Sequence, residues 1–247
     1  MNALKTRTPV ASRAVGVAEN IEQIMERIDR LSNAGAYQDL LCLVDLAITT
    51  HGDCPDLHAA RGWALENLTP PCLDASREAY DTALALDPTQ TWARLGLGTV
   101  LERLADPRAA CQMYQAAIDL AVPQVACEPD LLELIGWCQY RLGRMDEAVE
   151  TFLRALELDP AWVSVRFDLG LVLLLCCANG SATEEYELGL QRLRECDPDE
   201  WRGTVLVALD DLDEVLERSA SLRESVAARS IRAQLASVVQ REPLGRG

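Results

Sequence analysis

The sequence predicts an all-α fold built from repeated helical hairpins. Leu and Ala are abundant, Phe occurs twice, and Val and Ile do not alternate with polar residues over any long stretch, so helix is favoured over strand. Gly62, Gly98, Gly136 and Gly170 recur at steps of 36, 38 and 34 residues, and Tyr80, Tyr114, Phe152 and Tyr186 recur at steps of 34, 38 and 34. Because the two markers drift together, a period near 34 indicates a repeated structural unit.

Each unit contains two helical patterns separated by a break. In the clearest unit, Gly136 lies in the first pattern and Ala148 and Ala155 lie in the second. Antiparallel helices approach closely where small residues face each other, so these positions predict a tight hairpin. Phe152 would fill the space between hairpins, and Pro160 would end the second helix.

These residues resemble the tetratricopeptide repeat family, whose pattern has Gly at position 8, Ala at 20, an aromatic residue at 24, Ala at 27 and Pro at 32. The unit with Gly136, Ala148, Phe152, Ala155 and Pro160 matches this pattern throughout, and the units beginning near Gly62, Gly98 and Gly170 match it in part. The resemblance implies a right-handed α-solenoid of about five hairpins, in which the first helices line a concave surface.

Taken in chain order, the predicted organisation has four parts. Residues 1–17 form a disordered arm, residues 18–198 form the repeat array, residues 199–240 form capping helices and residues 241–247 form a tail. The first hairpin is degenerate, with Gly35 at its turn; the second has two extra residues at "TPPC"; the fifth has Gly189 at the Ala position and Pro198 four residues late. The C-terminal helices lack the repeat markers, as expected of a cap that covers the last apolar face.

The stretch "HGDCPDLH" at residues 51–58 holds both histidines of the chain. Aligned by its proline, it corresponds to the turns "ALDPTQ", "ACEPDL", "ELDPAW" and "ECDPDE" between later hairpins. As a metal site it offers His51, Cys54 and His58, whereas a structural zinc site needs four ligands. The stretch is therefore interpreted as the first junction between hairpins, and no metal or cofactor is predicted.

A face of each first helix is predicted to bind a partner. Positions 2, 5, 9 and 12 share one side of an α-helix, whereas positions 4, 8 and 11 point into the hairpin. Three of the five tryptophans fall on the first set. The predicted partner-binding residues are Asp56, Trp63, Glu66, Trp92, Leu95, Glu102, Asp130, Glu133, Trp137, Tyr140, Phe167 and Leu171. They describe an apolar groove with an acidic rim, suited to a segment that carries apolar anchors flanked by Lys or Arg.

Charge and cysteine content restrict the function classes. The formal net charge of −16 argues against binding nucleic acid or anionic membranes, because such contacts need Lys or Arg. Residues 184–217 carry twelve acids against three arginines, a pattern that favours a solvated helical face over a dedicated surface for a basic partner. The nine cysteines are irregularly spaced, which favours a reducing compartment, taken here as the cytoplasm. No glycine-rich phosphate loop or nucleophile motif supports catalysis.

The sequence thus predicts a non-catalytic protein-interaction module, acting as an adaptor, assembly factor or chaperone-like protein. Two alternatives stay open: a redox or metal-handling protein that uses His51, Cys54 and His58, and a scaffold that assembles with copies of itself. Capture of an acidic C-terminal carboxylate, a mode known in the family, is disfavoured because Ala59, Thr99 and Glu133 stand among the inner-face residues and cannot pair with a carboxylate.

Overall fold

A computed structural model describes residues 20–194 and 201–240 of the chain. Over these residues the regular structure is helical throughout. The α-helices are α1 (Ile21–Asn33), α2 (Tyr37–His51), α3 (Pro55–Glu66), α4 (Leu73–Leu86), α5 (Thr91–Arg103), α6 (Pro107–Ala121), α7 (Leu131–Arg141), α8 (Met145–Leu158), α9 (Val163–Leu175), α10 (Asn179–Leu193), α11 (Arg202–Arg218), α12 (Ala220–Glu224) and α13 (Val226–Val239). A short 3₁₀ turn, Val122–Gln124, follows α6. The predicted all-α fold is confirmed.

Helices α1 to α10 form five consecutive hairpins that stack side by side. The first helices of neighbouring hairpins, α3, α5, α7 and α9, contact one another directly. Because the inner side of a curved stack brings its helices closest together, these first helices lie on the concave face. The array is a tetratricopeptide-type α-solenoid, as the repeat spacing predicts.

In four of the five hairpins, a glycine of the first helix contacts the aromatic ring of the second helix. A Cβ atom added to Gly136 would lie 2.6 Å from Cε1 of Phe152, and one added to Gly98 would lie 2.5 Å from Cε1 of Tyr114. Phe152 is completely buried. The shared period of the glycine and the aromatic residue therefore reflects direct packing: a ring from the second helix fills the space that the missing side chain leaves on the first.

The turns inside four hairpins share one backbone conformation. Gly35, Ala105, Gly143 and Cys177 follow the first helices and have φ values of 66°, 63°, 76° and 61°. At each turn the next amide donates back to the carbonyl five residues earlier, for example from Asp106 to Leu101 over 2.9 Å, which satisfies a carbonyl at the end of the first helix. Ala105 and Cys177 hold this left-handed conformation with a side chain, which glycine would adopt at lower cost.

The C-terminal helices do more than cover the last hairpin. Helix α13 packs on α10 and on α11, as a cap would, but α11 also contacts both α9 and α1. A Cβ atom added to Gly203 would lie 2.0 Å from the main-chain oxygen of Ser32, so the start of α11 contacts the backbone of the first hairpin. The predicted arm, the predicted tail and the turn around Pro198 lie outside the described residues.

Candidate functional site

The concave face is occupied by the chain's own helix α11. Its contacts reach the first helices of four hairpins, from α1 through α5 and α7 to α9. Glu214 and Arg218 of α11 make its ionic contacts with α7 and α5, and Val205 and Leu212 of the same helix are fully inaccessible to solvent. The first functional feature of this solenoid is therefore a groove that accommodates an α-helix.

Arg141 links α11 to two repeats. Its side chain, 4% exposed, lies at the end of α7, and its Nη2 atom lies 2.8 Å from a carboxylate oxygen of Glu102 on α5 and 3.2 Å from one of Glu214 on α11. The guanidinium also lies over the rings of Trp137 and Tyr140, at 5.9 and 5.7 Å from their centroids. Cation–π contact and two charged hydrogen bonds together hold a buried cation in place.

Arg218 completes this cluster from α11. Its Nη1 atom lies 2.8 Å from Glu214 and 3.6 Å from Glu102. The Tyr114 hydroxyl, in turn, donates to Glu102 over 3.1 Å. Two carboxylates and two guanidinium groups thus meet where α5, α7 and α11 converge, so the local charges at this point balance.

A second ionic contact lies one hairpin earlier. Glu66, 5% exposed at the end of α3, accepts a hydrogen bond from the Tyr80 hydroxyl over 3.3 Å and lies 3.6 Å from the guanidinium of Arg103. Burial raises the pKa of Glu66 to about 7, and the Arg103 charge opposes that shift. A carboxyl group in this environment favours a nearby positive charge.

Other acids of the groove lack such balance. Burial raises the pKa of Asp211 on α11 to about 8, against the opposing charge of Arg141; Glu214, Asp210 and Glu66 raise it further. Asp168 on α9 is half-buried; loss of solvation holds its pKa well above the usual range, and Glu133 and Asp211 add to the shift. Burial likewise raises the pKa of Glu133 to about 7, although Ser164 and Trp162 donate hydrogen bonds to it. Burial thus makes Asp211 and Glu133 keep a proton to higher pH than exposed carboxyl groups do.

Two of the three inner-face tryptophans are engaged within the fold. Trp63 is half-buried, donates through Nε1 to the Ser32 hydroxyl over 2.9 Å and contacts the Tyr37 ring edge-on at 6.4 Å. Trp137 is half-buried beside Tyr140, with ring centroids 5.1 Å apart. Both side chains pack against other residues of the fold, so a partner could reach only part of each indole ring.

Part of the predicted surface stays open. Asp56, Trp92 and Asp130 occupy position 2 of three successive first helices and are exposed, Trp92 by 45%. Asp56 accepts a hydrogen bond from Gln90, the residue that precedes α5, so it lies beside the helix that carries Trp92. Partly buried Leu95 follows one turn further along α5. Asp56, Trp92 and Asp130 are called the open strip below.

Four predicted partner-binding residues lie in the interior. Phe167 is 1% exposed because its ring stacks on Tyr186 at 5.4 Å and contacts the bare backbone of Gly189. Phe167 points into the hairpin. There, Gly189 replaces the alanine usual at that position of the repeat and leaves space for the ring. Leu171, Glu66 and Tyr140 are also buried. The expectation that these four residues line an open groove is wrong for this structure.

Sequence reasoning missed four charged residues around the contact between the repeats and α11. They are Arg141, Asp168, Asp211 and Glu214. Arg141 could have been found, because it lies four residues after Trp137 and thus one turn along the same helix face. Arg103 holds the equivalent place on α5. No sequence pattern pointed to Asp211 and Glu214, because α11 contacts the repeats across a long separation in the sequence.

The histidine-rich junction has a structural role. His58 is buried, and its Nε2 atom lies 2.9 Å from a carboxylate oxygen of Asp53, whereas His51 is exposed at the end of α2. Pro55 begins α3. Within residues 20–194 and 201–240, no three His, Cys, Asp or Glu side chains come together as a metal site. No observation at this junction favours the metal-handling alternative.

The architecture defines an α-solenoid of helical hairpins, and part of the chain matches a known repeat family. Residues 88–161 match the tetratricopeptide repeat family profile. The hairpins on either side of the matched residues repeat the same glycine–aromatic packing, so the described chain has the fold of a tetratricopeptide repeat solenoid. Tetratricopeptide repeats form protein-interaction modules. None of the described helices is long and apolar enough to span a bilayer.

Three individual proteins illustrate the likeness. The CTR9 homolog of Arabidopsis thaliana is 29% identical over 100 residues, which are 40% of this chain and 9% of that protein. The structure of MamA from Desulfovibrio magneticus RS-1 is 20% identical, covers 71% of this chain and 96% of its own, and has a TM-score of 0.42. YrrB, a tetratricopeptide protein with an unusual peptide-binding site, is 18% identical, covers 77% and 97%, and has a TM-score of 0.40.

Proposed function

We propose that this chain is an adaptor or assembly factor that binds a basic and partly apolar segment of a partner protein on its concave face. The observation that carries this proposal is the open strip, where exposed Trp92 lies between two exposed acids at equivalent positions of neighbouring helices.

The chemistry of the strip favours a cationic segment with an apolar anchor. An exposed indole attracts Lys or Arg over its face and also buries aliphatic side chains. Neighbouring first helices lie about 10 Å apart, so Asp56 and Asp130 stand on either side of Trp92 along the stack. The net charge of −16 would accelerate the approach of a basic partner and repel an acidic one.

Peptide selection tests this proposal even though the natural partner is unidentified. A random peptide library displayed on phage is panned against the full chain, and the enriched peptides are expected to carry Lys or Arg next to apolar residues. Trp92→Ala should weaken binding of these peptides by about 30-fold or more, which corresponds to about 2 kcal/mol at a hot spot.

The matched control is Leu86→Ala. Leu86 ends α4 and is 45% exposed, the same fraction as Trp92, so its removal takes away a similarly exposed apolar side chain outside the strip. Binding should be unchanged in this variant. Enrichment of acidic peptides, or equal loss of binding in the two variants, would contradict the proposed site.

A further inference from the structure

The first eighteen residues of this chain have the composition that the open strip favours. They carry Lys5, Arg7 and Arg13 and no acid, whereas the whole chain has a net charge of −16. Apolar residues such as Val10 lie among these cations. Residues 1–18, called the N-terminal segment below, are thus a basic and partly apolar segment of the kind that an exposed indole between two carboxylates binds.

The N-terminal segment joins the fold at the same end of the solenoid as the open strip. Because each helix from α1 to α7 packs on the next and the chain turns back between them, the first helices run parallel and begin at one common end. Glu22, exposed in the first turn of α1, lies thirteen residues before the turn residue Gly35, just as Trp92 lies thirteen before Ala105 and Asp130 thirteen before Gly143. Glu22 therefore continues the row of position-2 residues onto α1.

A capping box fixes the point from which the N-terminal segment extends. The Asn20 side chain accepts a hydrogen bond from the Gln23 amide over 2.9 Å, and the Asn20 amide donates to the Gln23 side chain over 3.1 Å. This reciprocal pair holds the start of α1 in place. The distance from Asn20 to the strip therefore decides which residues of the segment can reach it.

The length of the N-terminal segment matches that distance. With first helices about 10 Å apart, Trp92 lies about 20 Å and Asp130 about 30 Å along the stack from α1. At about 3.3 Å per extended residue, Arg13 lies up to about 23 Å from Asn20 and Arg7 up to about 43 Å. Arg13 can thus reach Trp92, and Arg7 can reach Asp130 with length to spare.

We propose that the N-terminal segment binds the open strip of its own chain, with the Arg13 guanidinium over the Trp92 indole and Arg7 beside Asp130, and that a partner segment binds by displacing it. The inference rests on the proposed function, because it assigns a regulation of the same surface. A segment tethered by so few residues has an effective concentration of about 1 mM. Even a weak contact therefore fills the strip when no partner is present.

Photo-cross-linking in the full chain locates the N-terminal segment. Val10, between Arg7 and Arg13, is replaced by p-benzoylphenylalanine, and the chain carries no added residues before Met1. Irradiation should join this residue to the first turns of α5 and α7 within one chain, as identified by mass spectrometry. Trp92→Ala should lower the yield about fivefold or more. Leu86→Ala, equally exposed but outside the strip, should leave the yield unchanged.

A synthetic peptide of residues 1–18 measures the competition. A full chain with Lys5→Ser, Arg7→Ser and Arg13→Ser, called the neutralised chain, should bind this peptide about tenfold more tightly than the parent does, because the strip of the parent is already occupied. A control chain with Thr6→Ser, Thr8→Ser and Ser12→Thr keeps its charge and should bind the peptide as weakly as the parent. Trp92→Ala in the neutralised chain should abolish the gain.

The results separate this inference from the proposed function. Equal affinity of the parent and neutralised chains for the peptide would overturn the inference, and so would cross-links that join two copies of the chain. If the phage-selected peptides need Trp92 yet bind the parent and neutralised chains equally, the N-terminal segment does not occupy the strip and the proposed function stands. If neither those peptides nor the peptide of residues 1–18 binds the neutralised chain, both proposals fail.

Discussion

Gly136 provides the sharpest test of how the repeats pack. A Cβ atom at this position would lie 2.6, 2.8 and 2.9 Å from three ring atoms of Phe152, which is closer than carbon atoms approach in a packed core. Gly136→Leu adds four carbons to this contact. Phe152 cannot retreat easily, because it is fully buried and the neighbouring Ala148 and Ala155 have no accessible surface.

The expected cost combines two terms of opposite sign. Overpacking costs about 1–3 kcal/mol, and replacing glycine within a helix returns up to about 1 kcal/mol, so the variant should be less stable by about 1–2 kcal/mol. Urea unfolding followed by far-ultraviolet circular dichroism measures the difference. The double variant Gly136→Leu with Phe152→Leu should recover part of the loss, since a smaller side chain vacates the contact.

The control is Gly180→Leu, at a helical position where an added side chain meets nothing within 4 Å. It should be at least as stable as the parent. If Gly136→Leu behaves like this control, Gly136 does not lie at a close contact between the helices, and the explanation of the repeat by glycine–aromatic packing fails.

Two further predictions concern backbone strain and buried acids. Ala105→Gly should stabilise the chain by about 1 kcal/mol, because Ala105 holds a φ of 63° that glycine adopts more readily; an unchanged or lower urea midpoint would contradict this. The contribution of Asp211 to the free energy of unfolding should fall as pH rises from about 4 to 8. With its pKa of about 8, Asp211 keeps a proton in the folded chain, whereas in the unfolded chain it releases that proton near pH 3.9. Asp211→Asn should flatten the dependence by up to about 1.4 kcal/mol per pH unit, as judged from urea midpoints at pH 5, 6, 7 and 8; equal slopes in the parent and the variant would refute the assignment.

The repeats were readable from the sequence because their contacts are local and recur. Gly98 with Tyr114 and Gly136 with Phe152 are separated by a fixed sixteen residues, so one packing rule produces a pattern along the chain. The turn at Gly35 and the start of α3 at Pro55 follow from backbone preferences of single residues. Such local signals are sufficient to predict the five hairpins and the α-solenoid that they form.

The groove was readable only in part, because its occupant lies far away in the sequence. Arg141 contacts Glu214 across 73 residues, and no periodic pattern reports that pairing. The acids of α11 favour a solvated face by the usual rule, so the helix was expected in a cap. Glu214 and Arg218 of α11 nevertheless meet Arg141 and Glu102 on the concave face, and Glu66 and Tyr140, both predicted on that surface, are buried.

The contact between Arg141 and Glu214 offers the most direct measurement of whether α11 occupies the groove. A double-mutant cycle with Arg141→Gln and Glu214→Gln, read by urea unfolding, should give a coupling energy of about 1–3 kcal/mol, because the side chains are 3.2 Å apart and largely shielded from water. The control cycle pairs Arg141→Gln with Glu157→Gln on the exposed side of α8 and should be additive within about 0.5 kcal/mol. Additivity in both cycles would show that α11 does not dock against α7, and would contradict the account of a groove filled by its own helix.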